Sequence, residues 1–393
     1  MAVSVTAQKF IIQFRCVGAE CPDDCCYGWN MQVGDATREQ YKQCAPELLE
    51  SLTGSSGEYR MNRDAKTDRC VKFSDGLCDI HKKYGEEFLG DACYFYPRIT
   101  RSLGNSVVMT ATLSCPEIAR LALFNDDAFL LTQHSVARLP HETKDYLPPS
   151  LSAEQAMAMH QAFVRMALDK TSAAERSLLR MLVACESLKR ITAGSWPEAI
   201  PFYISRADSG LPPAEGRDTD TVFLLQALCG LVTAAKKVQH RRLMKTIEDM
   251  EQALHVSIRR DTLVIVPLPD SKHAVRAVQD TWRRDYRQHY APLLRRYLAM
   301  QILQAFFPFG GFGDSITERI AVIGIRLATV KLALMCACAL AGKPLAESET
   351  IRIVQSLSRF LDHLSGAELS LKIYQETGWI NKPRLRALLG DGD

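Results

Sequence analysis

Apolar and polar positions along this chain change their rhythm near residue 150. Before it, apolar runs are short and broken by turn residues. Residues 8–14 alternate enough to read as a strand, 16–28 form a tight loop with Pro22 and two aspartates, and 37–43 suit a short helix capped by Asp35 or Thr37. Residues 52–57 read as a turn, and 79–89 as one or two short helices. Residues 98–112 hold two β-rich arms around Leu103-Gly104-Asn105, the pattern of a hairpin. Pro116 then opens a helix to Phe124, because a proline in the first helical turn forfeits no hydrogen bond.

Residues 134–150 carry Pro140, Pro148 and Pro149 with little periodicity, and read as a linker. Beyond them, apolar spacings of three and four residues predict helices over 152–170, 173–192, 219–240, 243–255, 316–341 and 349–364. A further helical stretch, 271–307, is one helix or two joined near Pro292, and 209–217 is a Gly/Pro loop. Residues 320–340 are the most apolar segment. Arg326 and Lys331 interrupt it, so it reads as a buried helix rather than a membrane span. The expected fold is mainly α. A small irregular cysteine-rich metal-binding domain with a short hairpin spans 1–133, a linker 134–150, and a larger all-α domain 151–393.

Composition narrows the function. The chain has 393 residues, 47% of them hydrophobic, which is enough to bury more than one core and excludes whole-chain disorder. Lys+Arg number 48 against Asp+Glu 45, a balance too even to expect a nucleic-acid partner. Residues 1–15 lack the basic start and long apolar stretch of a secretory signal, so a cytoplasmic protein is expected. Peripheral membrane association and a homo-oligomer stay open at this stage.

Cysteine usage is the informative asymmetry. Of 13 cysteines, nine lie in the first 115 residues. Cys185, Cys229, Cys336 and Cys338 sit in apolar helical surroundings, where a thiol behaves as a small hydrophobe. The early ones run Cys16-x4-Cys21-x3-Cys25-Cys26, then Cys44, Cys70-x7-Cys78, Cys93 and Cys115. A reducing cytosol favours metal binding or redox chemistry over disulfides for such a cluster. Zinc-ribbon C-x2-C pairs and a C-x-x-C-H haem motif are absent, whereas four thiolates at variable spacing suffice for a [4Fe–4S] cluster.

The segments FRCVGAECPDDCCYGW (14–29), DGLCDIHKKYGEEFLGDACYFYPR (75–98) and LSCPEIARL (113–121) resemble the bacterial flagellin lysine-N-methylases, within the wider CxxCxxCC cysteine-rich family. The gaps here are four and three where the name motif has two and two. The resemblance implies an S-adenosylmethionine-dependent protein-lysine N-methyltransferase that modifies flagellin with the help of a [4Fe–4S] cluster. It places the family's eight cysteines on Cys16, Cys21, Cys25, Cys26, Cys70, Cys78, Cys93 and Cys115, and leaves Cys44 as an ordinary thiol. Four would hold the cluster. The expected four are Cys16, Cys21 and Cys25 or Cys26, completed by Cys78 or Cys93, with the remainder free for a second, zinc or structural site.

Other features carry less. Tyr27, Trp29, Tyr94, Phe95 and Tyr96 flank the cysteines and offer aromatic faces to a sulfonium donor, or a core to the small domain. Arg98 suits the donor's carboxylate, or a structural ion pair. No G-x-G-x-x-G follows a strand, which speaks against a Rossmann methyltransferase. Gly310, Gly311 and Gly313 read as a helix-to-helix turn, and Arg283, Arg284, Arg287, Arg295 and Arg296 as a solvated basic face. The rival reading is a zinc-stabilised, non-catalytic protein-binding module.

Overall fold

A computed structural model describes residues 3–28, 30–211, 220–234, 241–259, 264–363 and 367–390. A four-stranded sheet opens the fold, in the order Arg98–Leu103, Ser106–Ala111, Val3–Gln8, Leu131–Val136. The expected hairpin is present, with Arg98 opposite Ala111 and Leu103 opposite Ser106. Val3–Gln8 runs parallel to Ser106–Ala111 and antiparallel to Leu131–Val136, pairing Val3 with Val136 and Gln8 with Leu131.

Two local expectations are corrected. The strand expected over 8–14 lies instead over Val3–Gln8, and Lys9–Gln13 is a helical turn. In that turn the neighbours Phe10 and Ile11 are both buried in the main core. The stretch expected as a linker begins inside a strand, since residues 134–136 complete Leu131–Val136. It is then stitched to the hairpin by Tyr146 N–H on the Ser102 carbonyl (3.0 Å) and Ser102 N–H on the Lys144 carbonyl (3.1 Å).

The helical part matches the periodicity closely. Pro116–Phe124 and Ile316–Ala341 fall where the sequence predicts them. Ala153–Ala167 starts with a full capping box, in which Ser152 Oγ accepts from Gln155 N–H (3.1 Å) and Gln155 Oε1 from Ser152 N–H (2.9 Å). Ala174–Leu188, Arg241–Ala253 and Glu347–His363 follow, and Asp220–Ala234 covers the described part of the helix expected over 219–240. Of the two readings of 271–307, the single helix is the one seen: Ser271–Thr281, a π turn at Trp282–Tyr286 and Arg287–Ala305 follow without a break, with Pro292 inside the last. The loop expected over 209–217 lies mostly outside the described residues. Trp196–Arg206, Ala367–Glu376, Lys382–Leu389 and the hairpin Val256–Arg259/Val264–Pro267 add elements that periodicity did not show.

The main apolar core is continuous from Val5, Phe10, Leu113 and Ile118 of the sheet layer to Leu178, Tyr297, Leu327 and Trp379 of the helices. Ile316–Ala341 is long and apolar enough to cross a membrane, but 94% of its apolar window is buried in this core. Its two charges are bonded within the protein. Arg326 meets Asp362 (3.1 Å) and the side-chain oxygen of Gln301 (3.2 Å), and Lys331 meets Glu175 (2.6 Å). A second, much smaller core of Met31, Val33, Tyr41, Ala45, Leu48, Met61, Cys70 and Ile80 lies under the cysteine-bearing loops. Its scaffold is the helix Asp35–Cys44 and a small sheet of Gln32–Val33, Tyr59–Met61 and Leu52–Thr53. That helix is led in by extended Gly34, and neither Asp35 nor Thr37 caps it.

Candidate metal and cofactor site

Between the small core and the helices opens a cavity of about 1810 Å³. Cys16, Cys21, Cys25, Cys26, Cys70, Cys78, Cys93 and Cys115 all line it, and Cys44 does not. Residues separated by up to 99 positions thus share one chamber. All thirteen cysteines are free thiols.

The loop over 21–27 is held from the far end of the chain. Arg359, on Glu347–His363, pairs with Asp23 (3.0 Å) and donates to the carbonyls of Asp24 (2.5 Å) and Tyr27 (2.7 Å). Its guanidinium also lies 4.0 Å from the Tyr27 ring centroid. Gln355, one turn earlier, donates to Asp23 (2.6 Å) and to the Ser114 carbonyl (2.9 Å), so it ties the loop to the residue before Cys115. Arg242 donates to the Pro22 carbonyl (2.9 Å). Burial works against the charge on Arg359, yet Asp23, Tyr27, Tyr96 and Asp24 together hold the guanidinium above its ordinary pKa.

Backbone amides and burial act on the thiols in opposite directions. In five of the eight, a backbone N–H two residues on points at the sulphur: Gly18 to Cys16 (3.5 Å), Lys72 to Cys70 (3.4 Å), Asp23 to Cys21, Ile80 to Cys78 and Glu117 to Cys115. Such bonds favour the charged sulphur and recur around metal-bound thiolates. Burial pushes the other way. It raises Cys70, Cys78 and Cys93 above the ordinary thiol range and Cys115 to about 12. Cys26 donates to Cys25, which holds Cys25 below that range against burial, with help from Arg359. The same bond and burial raise Cys26.

These opposed influences describe a donor set suited in kind and number to a thiophilic metal or cluster, since a buried thiol ionises when a cation replaces the lost water. Among the described residues, no three or more Cys, His, Asp or Glu side chains are gathered into a ready-made ion cage. The cysteines share a chamber, and metal binding would have to draw the sulphurs together.

The remaining expected site residues fall as follows. Tyr27, Tyr94, Tyr96 and Arg98 line the cavity. Trp29 lies outside the described residues. One face of Tyr27 carries Arg359, and one face of Tyr94 carries Arg138 at 3.8 Å. Tyr96 is packed away with its hydroxyl 3.2 Å from Ser114 Oγ, and burial holds it well above the usual phenol range. Arg98 sits over the Phe14 ring at 5.2 Å and forms no ion pair among the described residues. Arg359, Gln355 and Arg242 were not anticipated. Their trace is a polar stripe, Arg352, Gln355 and Arg359, on one face of a helix that is otherwise buried.

A family model described as the FliB lysine N-methylase C-terminal domain matches residues 163–379. The chain belongs to the FliB lysine N-methylase family. The matched stretch supplies Arg242, Gln355 and Arg359 of the FliB-type site, whereas its eight cysteines lie before it. The chain is 23% identical over 213 residues to the lysine-N-methylase of Salmonella typhimurium (strain LT2), covering 51% of this chain and 52% of that protein. The lysine-N-methylase of Salmonella choleraesuis (strain SC-B67) matches to the same extent. The flagellar biosynthetic protein FliU of Salmonella muenchen is 25% identical over 154 residues, which is 35% of this chain and 90% of that one. The chain spans about half the length of the lysine-N-methylases it matches. No solved structure matches it.

Proposed function

We propose that this protein is an S-adenosylmethionine-dependent lysine N-methyltransferase acting on flagellin in the cytoplasm, with a [4Fe–4S] cluster held by cysteines of the cavity. The observation that carries the reading is the meeting of eight separated thiols in one chamber whose inner loop is clamped by a helix of the matched family domain. The names of the relatives supply the reaction and the flagellar context.

Such a cluster supplies one-electron redox chemistry when bound. The chain's own residues do the rest. The i+2 amides and the guanidiniums of Arg359 and Arg242 offset the negative charge that ionised thiols bring. Arg98 would meet the donor's carboxylate, a role supported by its lining the cavity with no ion pair among the described residues. Tyr27 and Tyr94 line the same cavity as the thiols and would offer their rings to the donor's sulfonium.

The test is direct. Full-length protein purified without oxygen is incubated with S-adenosylmethionine and unmodified flagellin, and lysine methylation is read by mass spectrometry. Methylated lysines together with about four irons and matching sulphide per chain are expected. Unmodified flagellin from iron-loaded, folded protein would reject the reading.

A further inference from the structure

The charged side chains that line the chamber are not used alike. Of its four carboxylates, three are paired: Asp23 with Arg359, Asp24 with Arg69 (3.0 Å) and Asp68 with Arg63 (2.6 Å). Glu86 lines it with no ion pair among the described residues. Seven cations line the same space, and Arg15, Lys66, Arg98 and Arg241 have no carboxylate partner among the described residues. Arg98 is half-buried, whereas Arg15, Lys66 and Arg241 are exposed. An exposed residue that lines a cavity stands at its mouth. These three come from separate parts of the fold. Arg15 follows the turn Lys9–Gln13, and its guanidinium donates to the carbonyls of Ile12 (2.9 Å) and Phe14 (2.7 Å), which orients the charge without neutralising it. It lies within electrostatic reach of Arg98. Lys66 sits in the loop between Tyr59–Met61 and Phe73–Ser74, where Asp64 Oδ1 accepts from the N–H of Lys66 (3.0 Å) and of Thr67 (2.8 Å). The loop's own carboxylate thus shapes the turn instead of pairing with the lysine. Arg241 lies on Arg241–Ala253, next to Arg242.

Like charges around an opening set up a field that reaches about 8–10 Å at physiological salt. That field repels a bare lysine side chain, yet the proposed reaction has to admit one. Carboxylates beside the lysine reverse the sign, because they meet the three cations as the lysine enters. Space allows it as well. The chamber's 1810 Å³ exceeds the roughly 300–1,000 Å³ of a small-molecule site, which leaves room for a stretch of polypeptide beside a donor. An anionic bilayer matches the charge but has no side chain to place inside, whereas a polypeptide fits both the mouth and the chamber.

We propose, on the reading of the chamber as a lysine-methylating site, that Arg15, Lys66 and Arg241 dock an acidic segment of the substrate. The protein then selects lysines flanked by aspartate or glutamate over lysines in neutral or basic sequence.

The experiment uses full-length protein purified without oxygen and two labelled peptides of equal length. Each has one central lysine, flanked by aspartates in one peptide and by asparagines in the other. Binding is read by fluorescence anisotropy with no methyl donor present, at low and at raised salt. The acidic peptide should bind about tenfold more tightly at low salt, and the advantage should shrink as salt rises. Arg15→Gln/Lys66→Gln/Arg241→Gln should erase it. Lys170→Gln/Lys272→Gln/Lys343→Gln removes the same charge from exposed positions outside the chamber and should preserve it. Should the first triple variant fold poorly, Lys66→Glu alone must still weaken binding of the acidic peptide. Equal affinity for the two peptides, or equal loss in both triple variants, overturns the proposal. So does binding to phosphatidylglycerol vesicles that needs the three residues while peptide binding does not. S-adenosylmethionine is then added to iron-loaded protein and methylated lysines are counted. Preferential binding with neither peptide methylated rejects the methyltransferase reading and leaves the docking. Methylation of both peptides at equal kcat/KM rejects the docking and leaves the methyltransferase.

Discussion

Arg359 concentrates the site's dependence on a single side chain. Its pair with Asp23 is nearly solvent-free, at 12% and 8% exposure, so removing one partner strands a buried charge. Arg359→Gln should destabilise the protein by about 3–5 kcal/mol in chemical denaturation and should open the loop over 21–27 to proteolysis. Arg359→Lys should fall between, because a point charge keeps the attraction but loses the planar fork that reaches three acceptors. His160 gives a pH signature. It is fully buried beside the Phe306 ring, its Nδ1 is 2.7 Å from the Phe307 carbonyl, and burial lowers its pKa from 6.5 to about 4. The unfolded chain therefore binds the extra proton between these values. Stability is complete above about 6.5 and falls as pH drops toward 4, by roughly 3 kcal/mol across the window. His160→Gln should flatten that part of the stability-against-pH curve, measured by urea unfolding at several pH values.

Elements were legible to different depths. Ile316–Ala341 and Pro116–Phe124 were readable because sequence-local signals mark them: a Ser315/Glu318 capping box with Gly342 beyond the end, and a first-turn proline. The first strand was displaced because Gln8, a polar residue, is fully buried at its end and blurs the alternation. The Trp196–Arg206 helix was hidden by Pro197 and Pro201, which argue locally for a loop. The register change at Trp282–Tyr286 has no local marker at all. Packing density is testable on the central helix. A Cβ on Gly324 would come within 2.9 Å of Leu178 and 3.1 Å of Leu385. Gly324→Val should therefore cost about 1–3 kcal/mol despite the better helix propensity, read as a lower urea midpoint at unchanged slope.

At the scale of the molecule, the cysteine set could be read from spacing and resemblance, but its enclosure could not. Asp23 and Arg359 are 336 residues apart, and no local pattern connects them. The sheet layer and the helices also share one core, in which Phe10, Leu113 and Ile118 pack with residues of the second half of the chain. A fragment of residues 151–393 would expose that contact surface. It should aggregate or unfold non-cooperatively when expressed alone, and co-expression with residues 1–150 should restore a soluble complex, as checked by gel filtration and calorimetry.

The clamp by Arg359 also sets an order of events during biosynthesis. The first strand gains its last partner only when residue 136 has been made, and the cysteine loop gains its clamp only when residue 359 has. A nascent chain with every cysteine already outside the ribosome still lacks the helix that closes over them. Any group the thiols take up thus meets an open loop until residues 347–363 have been made, and a closed one once that helix docks.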